Sequence, residues 1–283
     1  MEMFLEIVQF IIFSGLIVII SKQILVKNLR ELAESLKLKP KIVGDIAGVA
    51  TSVPELLTIG ISSFNGLIST SIYNVVSSNI INLIQYFSAI FLNKNQKNLK
   101  NRAIKVDLLL VIITILIPIL IIAMKIELKS VVVPAFVILY IGFKKVNNNV
   151  HKLYLKEVDK EIEKEIEEDE NSQKNSSRTA VKNVLILICA AIALFIIGEL
   201  LGNTLESLSG KFNVPEFVLG IVLGFVTSLP ELITFIESQK HHKNLENDMV
   251  GVVEATNNLL MSNVLNLFII QSIGIVIFTI LYG

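Results

Sequence analysis

Glu55 and Glu231 stand at matching places in two near-copies of one string. Thr51-Ser52-Val53-Pro54-Glu55-Leu56-Leu57-Thr58 returns as Thr227-Ser228-Leu229-Pro230-Glu231-Leu232-Ile233-Thr234, with only aliphatic exchanges between them. A second string follows each copy: Ser78-Asn79-Ile80-Ile81-Asn82-Leu83, then Ser262-Asn263-Val264-Leu265-Asn266-Leu267. Carboxylates, hydroxyls and amides are oxygen donors, the set that hard cations take. Ca2+ accepts about six to eight oxygens in flexible geometry, with carboxylates supplying the charge. Hydroxyls of Thr51, Ser52, Thr227 and Ser228, with amide oxygens of Asn82 and Asn266, would complete an all-oxygen shell around Glu55 and Glu231. Soft ligands are missing from these strings, which argues against zinc or copper. Cys189 is the only cysteine, and no Cys/His cluster offers a zinc site.

The elements that must hold these strings are membrane helices. Apolar residues make up 53% of the 283 positions, mean hydropathy is +0.68, and 18% are charged. An ordinary soluble domain carries roughly a quarter charged residues. The net charge of zero gives no argument for nucleic acid. A helix needs about 20 mostly apolar residues to cross the hydrocarbon core. Eight runs meet that need: Phe4–Ile20, Ile42–Phe64, Leu67–Leu92, Val106–Met124, Val131–Phe143, Ala180–Leu201, Val214–Ile236 and Met249–Leu281. Apolar residues run continuously instead of alternating, so barrel strands are excluded. The first run lacks a basic leader and a small-residue cleavage site, and reads as a retained helix. The predicted fold is an all-α membrane protein: a polytopic helical bundle of about eight transmembrane helices.

Lysine and arginine orient it. Every basic residue except Lys125, Lys129 and Lys211 falls on one side of these spans. The positive-inside rule then places both termini outside. Residues 1–146 form an N-terminal half, residues 180–283 a C-terminal half, and residues 147–179 a charged cytoplasmic linker. Within it Val158, Ile162 and Ile166 recur at i+4 and predict a short solvated helix. Its acids do not follow the EF-hand pattern and glycine is missing, so it reads as a plain linker.

Span two runs from inside to outside and span seven the reverse, so the two copies are inverted-topology repeats. In transporters built this way the substrate site lies near the midplane where the repeats meet. Proline inside each string breaks or kinks its helix and frees carbonyls that need partners. A charged acid at the bilayer centre costs roughly 2.5–3.5 kcal/mol on insertion scales. Two such acids in equivalent places point to a shared cation that compensates both, against the alternative of protonated structural residues. Asn79 and Asn263 read either as site residues or as interhelical glue, and Ser78 and Ser262 are equally open. Asp45 and Asp107 lie near span ends and are predicted to reach the interface. Glu254 lies at an ion entrance or at the interface, and His241 and His242 in an exposed basic loop. No protease, hydrolase or phosphate-cradling motif is present, so neither intramembrane proteolysis nor nucleotide-driven pumping is supported.

At these residues the chain resembles the sodium/calcium exchanger membrane family of the calcium/cation antiporter group. That family carries a Gly-Thr-Ser-Leu-Pro-Glu-Leu type string, then a Gly-Asn-x-x-Gly-Ser-Asn-x-x-Asn/Asp type string, in each half. The resemblance implies that Glu55 and Glu231 ligate Ca2+, and that Thr51, Ser52, Thr227, Ser228, Ser78 and Ser262 form flanking Na+ sites. Asn82 and Asn266 complete the cluster. Three departures stand out. Family glycines are replaced by Ala50, Tyr73 and Ser77 in one half and by Val226, Asn257 and Met261 in the other. Position 266 holds Asn where many relatives hold Asp. Relatives have ten spans as five plus five, against five plus three here; three readings stand open, a naturally short chain, a homo-oligomer or partner chain covering the short C-terminal half, or a divergent member with altered transport.

The implied function is that of a plasma-membrane antiporter, not an enzyme. It exchanges Ca2+ or a similar divalent cation for Na+ by alternating access, with inorganic cations and the lipid bilayer as partners and no cofactor beyond the transported ions. The alternatives are H+-coupled Ca2+ exchange and a non-transporting membrane subunit that keeps the fold.

Overall fold

The computed structural model describes residues 2–20, 23–24, 27–28, 40–154, 176–241 and 249–283. The predicted helix over Val158–Ile166, the centre of the linker and His242 lie outside the described residues. In chain order the long helices are α1 (Glu2–Ile20), α2 (Pro40–Thr51), α3 (Val53–Phe64), α4 (Ile68–Leu92), α5 (Arg102–Ala123) and α6 (Val133–Tyr154). They continue as α7 (Ser176–Glu206), α8 (Glu216–Thr227), α9 (Leu229–His241), α10 (Met249–Val264) and α11 (Gln271–Tyr282). Among the described residues eight helical stretches are long and apolar enough to cross a membrane, and none is a strand. Two of those spans are broken pairs, α2–α3 and α8–α9, and the last joins α10 to α11 through a π-helical turn, Leu265–Ile270.

The breaks are local consequences of Pro54 and Pro230. Proline is best tolerated in the first turn of a helix, where its missing N–H costs nothing; in an interior it removes a hydrogen bond and clashes with the preceding turn. Each span therefore stops and restarts one residue before the proline's own turn. The residue at the break is Ser52 (φ −81°, ψ 0°) in one half and Ser228 (φ −81°, ψ −2°) in the other. The carbonyls of Ala50 and Val226, four residues before each proline, receive no amide proton from it.

Two reciprocal contacts join the halves: α2 lies along α10, and α8 lies along α4. Glycines permit both. A Cβ on Gly48 would stand 2.8 Å from Met261 Cβ and 2.9 Å from Asn258 O; one on Gly224 would stand 2.6 Å from Asn74 O and 2.8 Å from Ser78 N. Gly44 and Gly220, one turn earlier, are equally close to the facing backbone. This is the small-residue packing by which membrane helices approach closely. The bulkier residues at Tyr73, Ser77, Asn257 and Met261 thus face glycines across the interface, and close packing is kept with the small residue on the other helix.

Apolar packing supports this crossing on both flanks. On one side Phe10, Ile17, Leu194, Leu201, Leu205 and Leu223 cluster where α1 meets α7 and α8. On the other, Phe268 in the π-helical turn meets Phe136 and Phe143 edge-on at 5.7 and 5.1 Å between centroids. Tyr86 is wholly buried against Phe235, and its hydroxyl satisfies itself at 2.7 Å from Thr256 Oγ1.

Span five is longer than its apolar run. Helix α6 passes Phe143 and continues to Tyr154, because Lys144, Asn147 and His151 share a face that has polar partners. Lys144 Nζ reaches Asp45 at 2.7 Å, and Lys41 joins the same carboxylate at 3.3 Å. Asn147 Nδ2 donates to Asp107 Oδ1 at 2.9 Å, and His151 Nε2 lies 2.6 Å from Asp107 Oδ2. Asp107, whose sequence position implied that it reaches the interface, is enclosed by these partners and 0% exposed. Glu254 is likewise buried, accepting from Ser238 Oγ at 2.7 Å. His151→Ala leaves a buried carboxylate oxygen without its partner, which costs roughly 1–3 kcal/mol. A melting temperature in detergent several degrees below that of the exposed-site control Lys152→Ala is the expected result.

Candidate functional site

All ten candidate residues converge where the two broken spans meet α4, α10 and the π-helical turn, and all are 0% exposed. Their arrangement repeats across the halves. Thr227 lies beside the Glu55 carboxylate, and Thr51 beside that of Glu231. Each break thus places its own glutamate against the other half's threonine.

Where the protons go decides what the cluster can bind. Ser52 Oγ donates to Gly48 O at 2.8 Å and Ser228 Oγ to Gly224 O at 2.7 Å. Thr227 Oγ1 donates to Leu223 O at 3.0 Å, and Thr51 Oγ1 lies 3.3 Å from Gly48 O. Thr58 and Thr234, one turn beyond the glutamates, donate to the carbonyls of Pro54 and Pro230. A hydroxyl has one proton and two lone pairs, so hydroxyls spending the proton on their own helix offer lone pairs to the cluster. Ser262 is the exception, donating to Glu231 Oε1 at 3.0 Å, with Ser52 Oγ 3.1 Å from its own oxygen.

The acceptors left over are all oxygens. Both carboxylate oxygens of Glu55, Oε2 of Glu231 and Oδ1 of Asn82 and Asn266 are buried without a hydrogen-bond donor among the described residues. Buried polar atoms are paired in the great majority of cases, so five orphan acceptors in one cluster are a chemical signature. Among the described residues no group of three or more His, Cys, Asp or Glu converges; the charge here comes from two carboxylates with neutral oxygens around them. That donor set suits a hard cation of low to moderate charge and not a soft metal.

The second strings join in the same way. Asn82 Nδ2 lies 3.4 Å from Ser262 Oγ, Asn266 Nδ2 lies 3.5 Å from Ser78 Oγ, and Ser228 Oγ reaches Ser78 O at 3.4 Å. Asn266 sits in the π-helical turn, while Asn82 sits in the regular α4. Such turns are rare and recur at functional sites. Asn74 and Asn258 were not among the candidates, yet both are wholly buried and contact threonines of the strings: Asn74 Nδ2 donates to Thr58 Oγ1 at 2.7 Å, and Asn258 Oδ1 lies 3.4 Å from Thr51 Oγ1. The signal for them was available in the repeat, since they are separated by the same interval as Ser78 and Ser262.

Interlocked inverted repeats whose broken helices meet deep in an apolar bundle define an integral membrane protein of the transporter class. The chain belongs to the sodium/calcium exchanger protein family, whose sequence pattern matches residues 6–144 and 182–282. That is a family of ion exchangers and not of catalysts. Its fold is shared by structures of the sodium-calcium exchanger NCX_Mj. One, soaked with 2.5 mM Na+ and 10 mM Sr2+, is 20% identical at TM-score 0.53, over 97% of this chain and 83% of that one. Another, soaked with 2.5 mM Na+ and 0.1 mM Ca2+, is 23% identical at TM-score 0.52, over 96% and 82%. At such identity the likeness concerns the fold. No curated protein sequence matches the chain.

Proposed function

We propose that this chain is a secondary antiporter exchanging Ca2+, or a similar divalent cation, for Na+ by alternating access. The halves 1–146 and 180–283 would enclose one shared site, in the plasma membrane with both termini outside. The observation that carries the reading is the set of five donor-less oxygens on Glu55, Glu231, Asn82 and Asn266. Two buried carboxylates with no cationic side chain paired to them among the described residues are stable only when something positive neutralises them. One divalent cation or two monovalent cations satisfy that charge, so Ca2+ and Na+ compete for the same oxygens. Competition of this kind is what couples opposite fluxes, because occupancy by either ion lets the bundle switch sides. Thr51, Ser52, Ser78, Thr227, Ser228 and Ser262 supply neutral oxygens on the flanks, where Na+ is better suited than a divalent ion.

Family membership supports this reading, as does the shared fold of an exchanger solved with Na+ and with Ca2+ or Sr2+. Eight spans and the replaced family glycines are the two sequence features that favour a silent subunit; the second is offset by Gly44, Gly48, Gly220 and Gly224 on the facing helices.

The test is reconstitution in Na+-loaded liposomes, with radiolabelled Ca2+ uptake followed after dilution into Na+-free buffer. Uptake that requires the Na+ gradient is expected. Uptake driven only by a pH gradient replaces Na+ with H+ as the coupling ion. Folded protein that gives no flux under either gradient sinks the antiporter reading and leaves the silent subunit.

A further inference from the structure

An asparagine is a cation ligand in only one of its two orientations. Its amide ends have nearly the same shape and opposite polarity, an acceptor oxygen and a donor NH2. An aspartate offers an oxygen whichever way it turns. This chain has asparagine at both 82 and 266, so something must keep both amides turned the right way.

We infer that Asn79 and Asn263 are positioning residues that hold the carbonyl oxygens of Asn82 and Asn266 toward the cation. The inference rests on the cation site proposed above. A backbone carbonyl only accepts. Asn263 Nδ2 donates to Asn79 O at 3.1 Å, so its NH2 end is fixed there. Its Oδ1 must then face Asn82, and it accepts from Asn82 Nδ2 at 3.1 Å. The NH2 end of Asn82 is spent on Asn263 and Ser262, which leaves Asn82 Oδ1 as one of the donor-less oxygens.

Asn79 and Asn266 form the mirror-image pair. Asn79 Nδ2 donates to Asn263 O at 3.2 Å and approaches Thr114 O at 3.5 Å, so Asn79 Oδ1 faces Asn266. Asn266 Nδ2 lies 3.4 Å from it, and Asn266 Oδ1 is left without a donor. All four asparagines are 0% exposed, so bulk water does not compete for their amides. Flipping Asn82 alone would set its oxygen against the oxygen of Asn263, and flipping Asn266 would do the same at Asn79. Each flip loses a hydrogen bond and opposes two acceptors.

A role as interhelical glue alone would predict the same hydrogen bonds between α4 and α10, so the test must separate the two. Ca2+ binding is measured calorimetrically on the purified full chain in Na+-free detergent buffer, with melting temperature in parallel. Asn263→Ser and Asn79→Ser each shorten a positioning side chain in an interface already lined by Ser78 and Ser262. Each is expected to weaken Ca2+ binding about 10–100-fold, the scale on which residues supporting a metal ligand act. Adding Asn82→Asp to Asn263→Ser, and Asn266→Asp to Asn79→Ser, is expected to restore binding, because a carboxylate needs no orientation. Singles that bind like wild type, or doubles as weak as their singles, would overturn the inference.

A wild-type measurement keeps the test independent of how the variants fold. With asparagine side-chain carbonyls labelled with 13C, Ca2+ is expected to shift the signals of Asn82 and Asn266 strongly. Larger shifts at Asn79 and Asn263 would make those residues ligands and overturn the assignment. A wild-type chain that takes up no Ca2+ overturns the proposed site as well. Wild-type binding with unaltered singles overturns the positioning role alone.

Discussion

Glu55→Gln is expected to abolish Na+-driven Ca2+ uptake while leaving the protein at least as stable as before. Neither carboxylate oxygen of Glu55 accepts a hydrogen bond from the described residues, and the amide keeps an oxygen that can stand beside Thr227. The substitution removes a buried charge that only a cation compensates. With that charge go roughly two or more orders of magnitude in uptake, since taking one partner from a buried charge pair costs about 3–5 kcal/mol. In cation-free buffer the sign reverses for stability, because the desolvated charge is gone, and the melting temperature is expected to stay level or rise. Glu231→Gln should lose uptake to the same extent, with Ser262 still able to donate to the retained amide oxygen.

Ligand linkage supplies the measurement. A ligand that binds only the folded state adds about 2.7 kcal/mol of stability at 100-fold excess over its dissociation constant. Wild-type protein should therefore melt at a higher temperature in Ca2+, and neither glutamine variant should. A Ca2+-dependent rise that survives in both variants would place the ion elsewhere and sink the site.

The second large effect is structural. Gly224→Leu and Gly48→Leu are expected to give little or no folded protein, and the alanine variants to melt well below wild type. Added atoms at these positions meet Asn74 O and Ser78 N in one half, and Met261 Cβ and Asn258 O in the other. Most of those atoms belong to the facing backbone, which cannot turn aside as a flexible side chain would. Overpacking a well-filled interior costs about 1–3 kcal/mol, and moving a whole helix costs more. Gly60→Ala is the control: nothing stands within 4 Å of its added Cβ, so it should be neutral or slightly stabilising through helix propensity. Monodispersity on size exclusion and thermal melts read both. Normal folding of Gly224→Leu would mean that α8 and α4 do not approach as closely as described.

Much of this was legible before any coordinates. The duplicated strings named the candidate residues, and the apolar runs gave eight segments, as many as the helical stretches long and apolar enough to cross a membrane among the described residues. Those signals are local: they need only periodicity, composition and a comparison of the chain with itself. What escaped depends on which helix faces which. The glycines of α2 and α8 were visible as letters, but their purpose appears only when they lie against Asn257, Met261, Tyr73 and Ser77. Asp107 looked interfacial because its partners lie 40 and 44 residues away on α6, beyond any helical spacing. The π-helical turn at Asn266 has no compositional mark. The amide orientations of Asn82 and Asn266 follow from backbone carbonyls on a neighbouring helix, which no side-chain pattern encodes.

The duplication also makes the molecule its own reference standard. Ser52 and Ser228 share a backbone conformation to within two degrees, and each donates to the glycine carbonyl four residues earlier, Gly48 and Gly224. A substitution in either half can therefore be compared with its twin under identical lipid, ionic strength and expression. Any inequality between twins cannot come from the chemistry of the substitution, because that is the same in both. It measures what the surroundings add, such as the hydrogen bond from Ser262 to Glu231 and the π-helical turn at Asn266.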